Sequence, residues 1–190
     1  LKARPWKDAP EFTLAELRDA GVVSCRKGAD PGDRDAHFDM FRDRLVFTIT
    51  DVHGHPLAFS ARKLSDSDKM GKYVNTRETR LFSKRHELYW SARGLREASK
   101  AGHVFVCEGQ FDVSAAVEAG VTNVVASLGT AFTGDHAMLV RRAAGDACQT
   151  VFVFDGDDAG RSAAVKAFER VEQVRGDGRV IVCPDGVDPC

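Results

Sequence analysis

The sequence predicts an α/β protein, with a parallel sheet in the second half of the chain and a smaller α+β part before it. Residues 103–183 alternate between short apolar runs and amphipathic segments, and strand–helix alternation is typical of a parallel sheet with right-handed crossovers. A chain of 190 residues, 43% hydrophobic and 29% charged, has ample material for a globular core. We therefore expect two domains, residues 1–101 and residues 102–190.

The two halves of the chain carry opposite net charges. Residues 1–100 contain 20 Lys and Arg against 15 Asp and Glu, a net charge of +5. Residues 101–190 contain 7 against 13, a net charge of −6, which gives −1 for the whole chain. A basic half beside an acidic half fits a phosphate-rich polymer on one side and metal-binding carboxylates on the other.

Other features of the sequence argue against a membrane protein and against a zinc or disulfide framework. No run approaches the roughly 18–20 apolar residues of a membrane span, and the N-terminal residues lack the apolar region of a signal peptide. The five cysteines are scattered without a C-x-x-C pair, which indicates free thiols and no zinc site. We expect a cytoplasmic protein with no membrane partner. The absence of an initiator Met suggests a fragment or a processed chain.

The first half is predicted to contain two helices and a hairpin. A capping box formed by Thr13 and Glu16 begins the first helix, and Gly21 supplies its stop. Residues 28–35 are polar and rich in Gly and Pro, which predicts a loop. Apolar runs at residues 45–50 and 57–59 predict two strands joined by a polar turn, and a second helix is expected over residues 89–100.

The second half is predicted to alternate strands and helices without interruption. The expected strands are residues 103–107, 122–126, 150–154 and 179–183. The expected helices are residues 112–119, 135–144 and 158–174.

Acidic residues follow two of these strands. Asp155 and Asp157 come directly after the third strand, and Glu108 ends the first. Open α/β sheets place their active sites at the carboxyl ends of strands, so the three carboxylates would meet if these strands are neighbours. Close carboxylates repel unless they share a proton or a cation. The pattern therefore predicts a site for a hard divalent cation, Mg²⁺ or Mn²⁺, held by oxygen ligands.

Other interpretations of these residues stay open at this point. A phosphatase with an aspartyl nucleophile also shows D-x-D after a strand, and aspartates in this position also turn the chain and cap the next helix. An EF-hand is excluded, because Ala159 and Lys166 stand where its loop needs oxygen ligands. After the second strand, Gly129 and Thr130 fit either a phosphate contact at the same edge or an ordinary β–α turn.

Several motifs, in the right order, resemble those of bacterial DnaG-type primases. In the second half, the segments at residues 108–112, 127–131 and 154–160 are similar to the Toprim domain, a Rossmann-like parallel-sheet fold. In the first half, similar segments lie at residues 41–47, 59–62, 72–79 and 81–84, and residues 183–189 resemble the stretch that closes the family's metal site. Toprim domains also occur in topoisomerases, recombination mediators and nucleases, so the first half decides among them.

The resemblance implies a primase RNA-polymerase core, in which a smaller basic α+β subdomain precedes the Toprim domain. The implied function is DNA-templated synthesis of short RNA primers by Mg²⁺-dependent nucleotidyl transfer. The implied partners are single-stranded DNA, ribonucleoside triphosphates, the RNA–DNA hybrid and a replicative helicase bound through a domain absent from this sequence. The implied location is the cytoplasm of a bacterial or phage-infected cell. The alternatives are a Toprim-type metal-dependent nuclease and a non-catalytic module that binds nucleotide or DNA.

The resemblance also assigns roles to individual residues. The expected catalytic and metal-binding residues are Glu108, Asp155 and Asp157, with Asp112 and Asp188 at nearby acidic positions. The expected contacts with nucleic acid or nucleotide are Arg42, Arg44, Arg62, Lys72, Asn75, Lys84, Gly129 and Thr130. Cys190 stands where the family usually carries another acidic residue, and this departure gives weight to the non-catalytic alternative.

Overall fold

The structure is a computed structural model that describes residues 11–65, 71–155, 157–173 and 176–185. The chain divides into two compact units. The first unit is Leu1–Thr48 with Ala58–Phe82, and the second is Ile49–Leu57 with Ser83–Cys190. These units are groups of residues that pack together, and the domain boundary expected between residues 101 and 102 stays a prediction.

The elements up to residue 75 are short and mostly extended. They are helix α1 (Leu14–Asp19), strand β1 (Val23–Cys25), a 3₁₀ helix (Arg34–Ala36), and strands β2 (His37–Asp39), β3 (Arg44–Thr50), β4 (Pro56–Lys63) and β5 (Tyr73–Asn75). Strands β1 and β2 form an antiparallel pair, and β3, β4 and β5 form a second sheet in that order. The smaller α+β part predicted for this half is therefore present.

Helix α1 begins as predicted. The Glu16 backbone N–H donates to Thr13 Oγ1 at 3.2 Å, and the Thr13 backbone N–H donates to Glu16 Oε2 at 2.7 Å. These two bonds satisfy backbone donors that the first helical turn leaves without partners. Gly21 follows the helix with a φ of 70°, a backbone conformation that favours glycine.

The β1–β2 pair was not predicted. Its strands have three residues each, and the sequences Val-Ser-Cys and His-Phe-Asp carry no alternation long enough to stand out. The pair flanks the predicted loop, and the 3₁₀ helix Arg34–Ala36 occupies the end of that loop.

The second unit contains the parallel sheet. Its elements are α2 (Ser91–Ala101), β6 (His103–Cys107), α3 (Gln110–Glu118), β7 (Val124–Ala126), α4 (Gly134–Ala144), β8 (Gln149–Phe154), α5 (Asp158–Gln173) and β9 (Gly178–Val182). The strand order is β7-β6-β8-β9, and each neighbouring pair is parallel. The predicted parallel α/β fold is confirmed, with each element within a few residues of its expected bounds.

Helix α2 begins two residues later than predicted. Tyr89 pairs with Ala126 in an antiparallel bridge, with N···O distances of 2.8 and 3.2 Å. Trp90 then turns the chain with a φ of 65°, so the helix starts at Ser91. Backbone pairing with a distant strand end decides this start, and a helical pattern in the sequence does not reveal it.

One apolar core holds the sheet and its helices together. Leu95 from α2, Val140 from α4 and Ala164 from α5 pack with Phe152 of β8, one of the two inner strands of the sheet. The Phe152 ring also meets the Phe132 ring edge to face, with centroids 4.9 Å apart. This core fixes the strand ends on which the acidic residues stand. In the described part of the chain, no helix has the length and apolar character of a membrane-spanning segment.

Candidate active site

The carboxyl ends of β6 and β8 lie side by side. The register of this parallel pair includes Val106 opposite Phe152, and the same offset places Glu108 opposite Phe154, one residue before Asp155. Neighbouring strands are about 4.8 Å apart, so the backbones of Glu108 and Asp155 leave the sheet as near neighbours. Both residues are partly buried. The condition stated for the carboxylates to meet, that the first and third strands of this half be neighbours, is therefore fulfilled.

Asp157 caps the helix that follows. Its Oδ1 accepts a hydrogen bond of 2.7 Å from the backbone N–H of Gly160, near the start of α5. The interpretation of this aspartate as a helix cap is therefore right for one of its two carboxylate oxygens. Asp112 plays a similar part in α3, where its Oδ2 accepts from the Gly109 N–H at 2.8 Å.

Gly160 allows the start of α5 to lie against the end of β8. A Cβ atom built there would overlap the carbonyl oxygen of Asp155 and lie 3.1 Å from the Asp155 backbone nitrogen. Only a residue without a side chain fits this approach. The glycine thus determines where the Asp155 backbone sits relative to the helix.

The expected three-carboxylate cluster stays a prediction. Glu108 and Asp155 reach the same edge of the sheet, but no three His, Cys, Asp or Glu side chains in the described ranges form a group able to hold a metal ion. Asp188 lies outside the described residues.

A strained turn lies beside Glu108. Leu128 has a φ of 62° and Gly129 a φ of 69°, and the Leu128 side chain is 2% exposed. A left-handed conformation costs a residue such as leucine roughly 1–2 kcal/mol, which the buried side chain offsets. The Gly129 N–H donates to the Glu108 carbonyl oxygen at 3.1 Å, and the Thr130 hydroxyl donates to the Ser127 carbonyl oxygen at 2.8 Å. The turn is therefore tied to the backbone of the candidate site.

A cavity of about 440 Å³ opens next to this turn. Its polar lining includes Glu108, Thr130, Ser162 and Lys166, and its apolar lining includes Phe132. Sequence reasoning missed Ser162 and Lys166, although their spacing of four residues places them on one face of α5. Lys166 brings a positive charge to a cavity that Glu108 also lines.

Two of the expected nucleic-acid contacts, one on β4 and one just before β5, come together at Tyr73. The Arg62 guanidinium lies 5.9 Å and the Lys72 ammonium 5.8 Å from the centroid of the Tyr73 ring. Tyr73 is 43% exposed, so an aromatic ring and two cations share an accessible surface. Such a group suits stacking and phosphate contacts with a single strand.

The other residues of the first unit that were expected to contact nucleic acid have different environments. Arg44 is 8% exposed, and its Nη1 donates to the Gly71 carbonyl oxygen at 3.0 Å. Because Arg44 is buried, it is better placed to hold the chain before β5 than to contact a ligand directly. Asn75 has a buried Oδ1 without a hydrogen-bond partner in the described residues. Arg42 is exposed, with its guanidinium 5.7 Å from the Phe38 ring centroid.

Lys84 belongs to the second unit, where its backbone is held by a buried histidine. His136 is fully buried, with Nε2 at 2.8 Å from the Lys84 carbonyl oxygen. The Thr133 backbone N–H donates to His136 Nδ1 at 3.2 Å, so the proton resides on Nε2. Burial lowers the pKa of His136 below its usual value of 6.5, because the charged imidazolium loses its hydration.

His136 should make the folding stability of the protein depend on pH. Since its folded pKa is lowered, the stabilisation is fully present above the unfolded pKa of 6.5 and is lost as pH falls toward the folded pKa. We expect a loss of at most about 1.4 kcal/mol per pH unit in this window, measured by urea unfolding. His136→Asn is the matched control, because its Oδ1 can still accept from Thr133. The other histidines contribute equally to both proteins, so an identical pH slope in the two would contradict the assignment.

Fold and site together define a protein of the Toprim-like class, an α/β domain with acidic residues at the carboxyl edge of a parallel sheet. Residues 105–190 match the family described as Toprim-like, and residues 7–94 match the N-terminal domain of the DNA primase catalytic core. The chain belongs to the DnaG-type DNA primase family and carries these two domains of its catalytic core.

Individual relatives agree with this assignment. The chain is 39% identical to a DNA primase of Streptomyces coelicolor over 165 residues, which are 86% of this chain and 26% of the relative. The RNA polymerase domain of Mycobacterium tuberculosis primase DnaG superposes with a TM-score of 0.82 at 40% identity, covering 94% of this chain and 57% of that one. A DnaG primase catalytic domain bound to single-stranded DNA gives a TM-score of 0.75 at 36% identity, covering 92% and 52%. The chain thus spans about a quarter of the length of the curated relative.

Proposed function

We propose that this chain is the part of a DNA primase that joins ribonucleotides into short RNA primers on a single-stranded DNA template. The single observation that carries the proposal is the emergence of Glu108 and Asp155 from neighbouring parallel strands, at one sheet edge, in a chain of the primase family. Because the chain spans about a quarter of a curated relative, further modules are expected to take part in template selection.

The residues at this edge fit a divalent cation. Toprim and primase families generally depend on divalent metals. Glu108 and Asp155 offer the hard oxygen donors that Mg²⁺ prefers. Mg²⁺ usually takes only one or two protein carboxylates and keeps waters or substrate phosphates as its other ligands, so a complete protein cage is not required. We propose Mg²⁺, replaceable by Mn²⁺, with Asp157, Asp112 and Asp188 as the supporting acidic residues.

The chain's own groups would position the reactants. When bound, the metal supplies charge neutralisation of the triphosphate and lowers the pKa of the attacking 3′-hydroxyl. Glu108 and Asp155 would hold it in place, and the side chain of Lys166, which lines the same cavity as Glu108, would bring positive charge to the phosphate oxygens. The turn containing Gly129 and Thr130 would form the cavity wall beside them. Because groups of this kind are already in position, they need little reorganisation during the reaction.

Basic and polar side chains are proposed to hold the nucleic acid and the nucleotide. Arg62, Lys72 and Asn75 on β4, β5 and the segment between them would contact the template or the RNA–DNA hybrid, and Lys84 in the second unit would contact nucleotide phosphates. The similar primase structure with single-stranded DNA supports a DNA ligand. A replicative helicase partner and a location in the bacterial cytoplasm follow from the family, and both are part of this proposal.

Incorporation and cleavage assays distinguish this function from its alternatives. The protein, supplemented with the remaining parts of a full-length primase of the family, should incorporate labelled ribonucleotides on single-stranded DNA only when Mg²⁺ or Mn²⁺ is present. Metal-dependent nicking without incorporation would instead identify a Toprim nuclease. Nucleotide or DNA binding with neither reaction would identify a non-catalytic module, and either result would reject the polymerase proposal.

A further inference from the structure

The first turn of helix α4 holds a segment of the chain that lies before helix α2. His136 Nε2 donates to the carbonyl oxygen of Lys84 at 2.8 Å, and the Thr133 hydroxyl donates to the carbonyl oxygen of Arg85 at 2.7 Å. The bonded partners are 52 and 48 positions apart in the sequence, and all four residues belong to the second unit. Two successive carbonyl groups are thus fixed by two side chains of one helix end, which together form the α4 clamp.

The two side chains of the α4 clamp also fix each other. The His136 backbone N–H donates to Thr133 Oγ1 at 3.1 Å, and the Thr133 backbone N–H donates to His136 Nδ1 at 3.2 Å. The His136 ring is fully buried, and its centroid lies 5.4 Å from that of the Phe132 ring. Both ring nitrogens therefore have partners, and a buried polar network that is satisfied in this way is rigid.

Weaker contacts accompany the α4 clamp. His86 Nδ1 lies 3.1 Å from Asp135 Oδ2, but both side chains are more than half exposed, and such an ion pair contributes little. The backbone N–H of His86 donates to the carbonyl oxygen of Ser83 at 3.0 Å, which closes a turn around Lys84 and Arg85. The turn orders the segment internally, and the clamp attaches it to α4.

The α4 clamp is continuous with the wall of the cavity at the acidic edge. Thr130 and Phe132, from the connection between β7 and α4, line that cavity together with Glu108. Thr133 follows Phe132 directly, so a single stretch of chain forms part of the cavity wall and holds the backbone beside Lys84. A lysine side chain is long and flexible, so the place that its ammonium group reaches depends on where its backbone is held.

We propose that Thr133 and His136 are positioning residues of the nucleotide site, because they hold the backbone of Lys84 where its ammonium group can meet the triphosphate. The positioning role rests on the proposed function, which assigns the phosphate contact to Lys84. A displacement of about 1 Å in a group that positions a substrate lowers reaction rates strongly, so a fixed backbone at this point favours the reaction. Neither positioning residue is proposed to touch the nucleotide itself.

Two amide substitutions of His136 separate the two bonds of its ring. In His136→Asn the amide can still accept from the Thr133 N–H but is too short to reach Lys84. In His136→Gln the amide nitrogen takes the place of Nε2 and can donate to Lys84. In the reconstituted system, we expect the KM for ATP to rise about tenfold in His136→Asn, with kcat little changed, and to stay within about twofold of wild type in His136→Gln. Equal KM values in the two variants would overturn the proposal.

Thr133 provides a second test that leaves the buried ring in place. Thr133→Asp keeps an acceptor for the His136 backbone N–H but has no hydrogen to donate to the Arg85 carbonyl oxygen, whereas Thr133→Ser keeps both bonds. Thr133→Asp should raise the KM for ATP about threefold to tenfold, and Thr133→Ser should keep the wild-type value. A wild-type KM in a fully folded Thr133→Asp protein would contradict the positioning role.

A double-substitution cycle with Lys84→Ala distinguishes positioning from a general structural role. If His136 acts through Lys84, then His136→Asn should raise the KM only while Lys84 is present, and the double variant should equal Lys84→Ala alone. Equilibrium binding of ATP to the same proteins, measured by titration calorimetry, should weaken by the same factors. An equal increase of KM in both backgrounds would reject action through Lys84.

The proposed function and the positioning role fail in different ways. If the wild-type protein incorporates no ribonucleotide, the proposed function is rejected and the positioning role falls with it. If the wild-type protein incorporates ribonucleotides and the KM for ATP is the same in His136→Asn and His136→Gln, only the positioning role is rejected.

Discussion

Replacing Asp155 by Asn is expected to lower the rate of primer synthesis at least a thousandfold, with little change in folding stability. Asparagine has nearly the shape of aspartate but no negative charge, so it cannot balance a divalent cation at the sheet edge. Single electrostatic contacts to the reacting groups are worth about 10²–10³ in rate, and loss of a metal ligand removes several such contacts together. Incorporation of labelled ribonucleotide on single-stranded DNA, in the reconstituted system, measures the effect.

Asp158 offers a matched control for this substitution. It stands three residues away, with a fully exposed side chain paired to Arg161 at 3.0 Å, so Asp158→Asn removes the same charge outside the proposed site. That variant should keep nearly all of the activity. Asp157→Asn tests the supporting residue, because its Oδ1 can still accept from Gly160 and the helix cap is retained. Full activity in Asp155→Asn, at unchanged thermal stability, would contradict a catalytic role for this carboxylate.

Gly160→Ala is expected to be the most destabilising substitution near the site. The added Cβ meets the backbone carbonyl of Asp155, which cannot swing aside as a flexible side chain can. The start of α5 must therefore move away from β8, at a cost of about 3 kcal/mol or more in the free energy of unfolding. Primer synthesis should decrease as well, because the backbone of Asp155 shifts with the contact.

Gly134→Ala controls for the effect of an added methyl group on a helix. Gly134 begins α4, and a Cβ there would meet nothing within 4 Å. Alanine should stabilise this position by up to about 1 kcal/mol, because it restricts the unfolded chain more than glycine does. Urea unfolding of both variants gives the comparison. If the two variants had similar free energies of unfolding, the close approach at Gly160 would contribute little to the cost of adding a methyl group there.

The sequence was most informative where local pattern and global fold coincide. Strand β8 is an uninterrupted apolar run before Asp155, and buried parallel strands have this appearance because both of their faces are covered. Parallel strands end at the same edge, so the meeting of Glu108 and Asp155 required only that β6 and β8 be neighbours. The capping box of α1 was visible for a similar reason, since its two bonds join residues three positions apart.

Features that depend on distant backbone groups were not predictable in this way. From the sequence, Arg44 was expected to contact nucleic acid. In the structure its guanidinium donates to the carbonyl oxygen of Gly71, a group that only tertiary packing brings near. The late start of α2 depends on pairing of Tyr89 with Ala126. Ser162 and Lys166 became visible as cavity residues only once the turn after β7 had a position.

The central claim is that Glu108 and Asp155 hold a divalent cation at the carboxyl edge of the sheet. Crystals soaked with Mn²⁺ and a ribonucleoside triphosphate test it directly, because manganese gives an anomalous signal that locates the ion. We predict a peak about 2.0–2.5 Å from carboxylate oxygens of both residues, with triphosphate oxygens completing its coordination. Triphosphate density with no manganese peak between these two side chains would contradict the account.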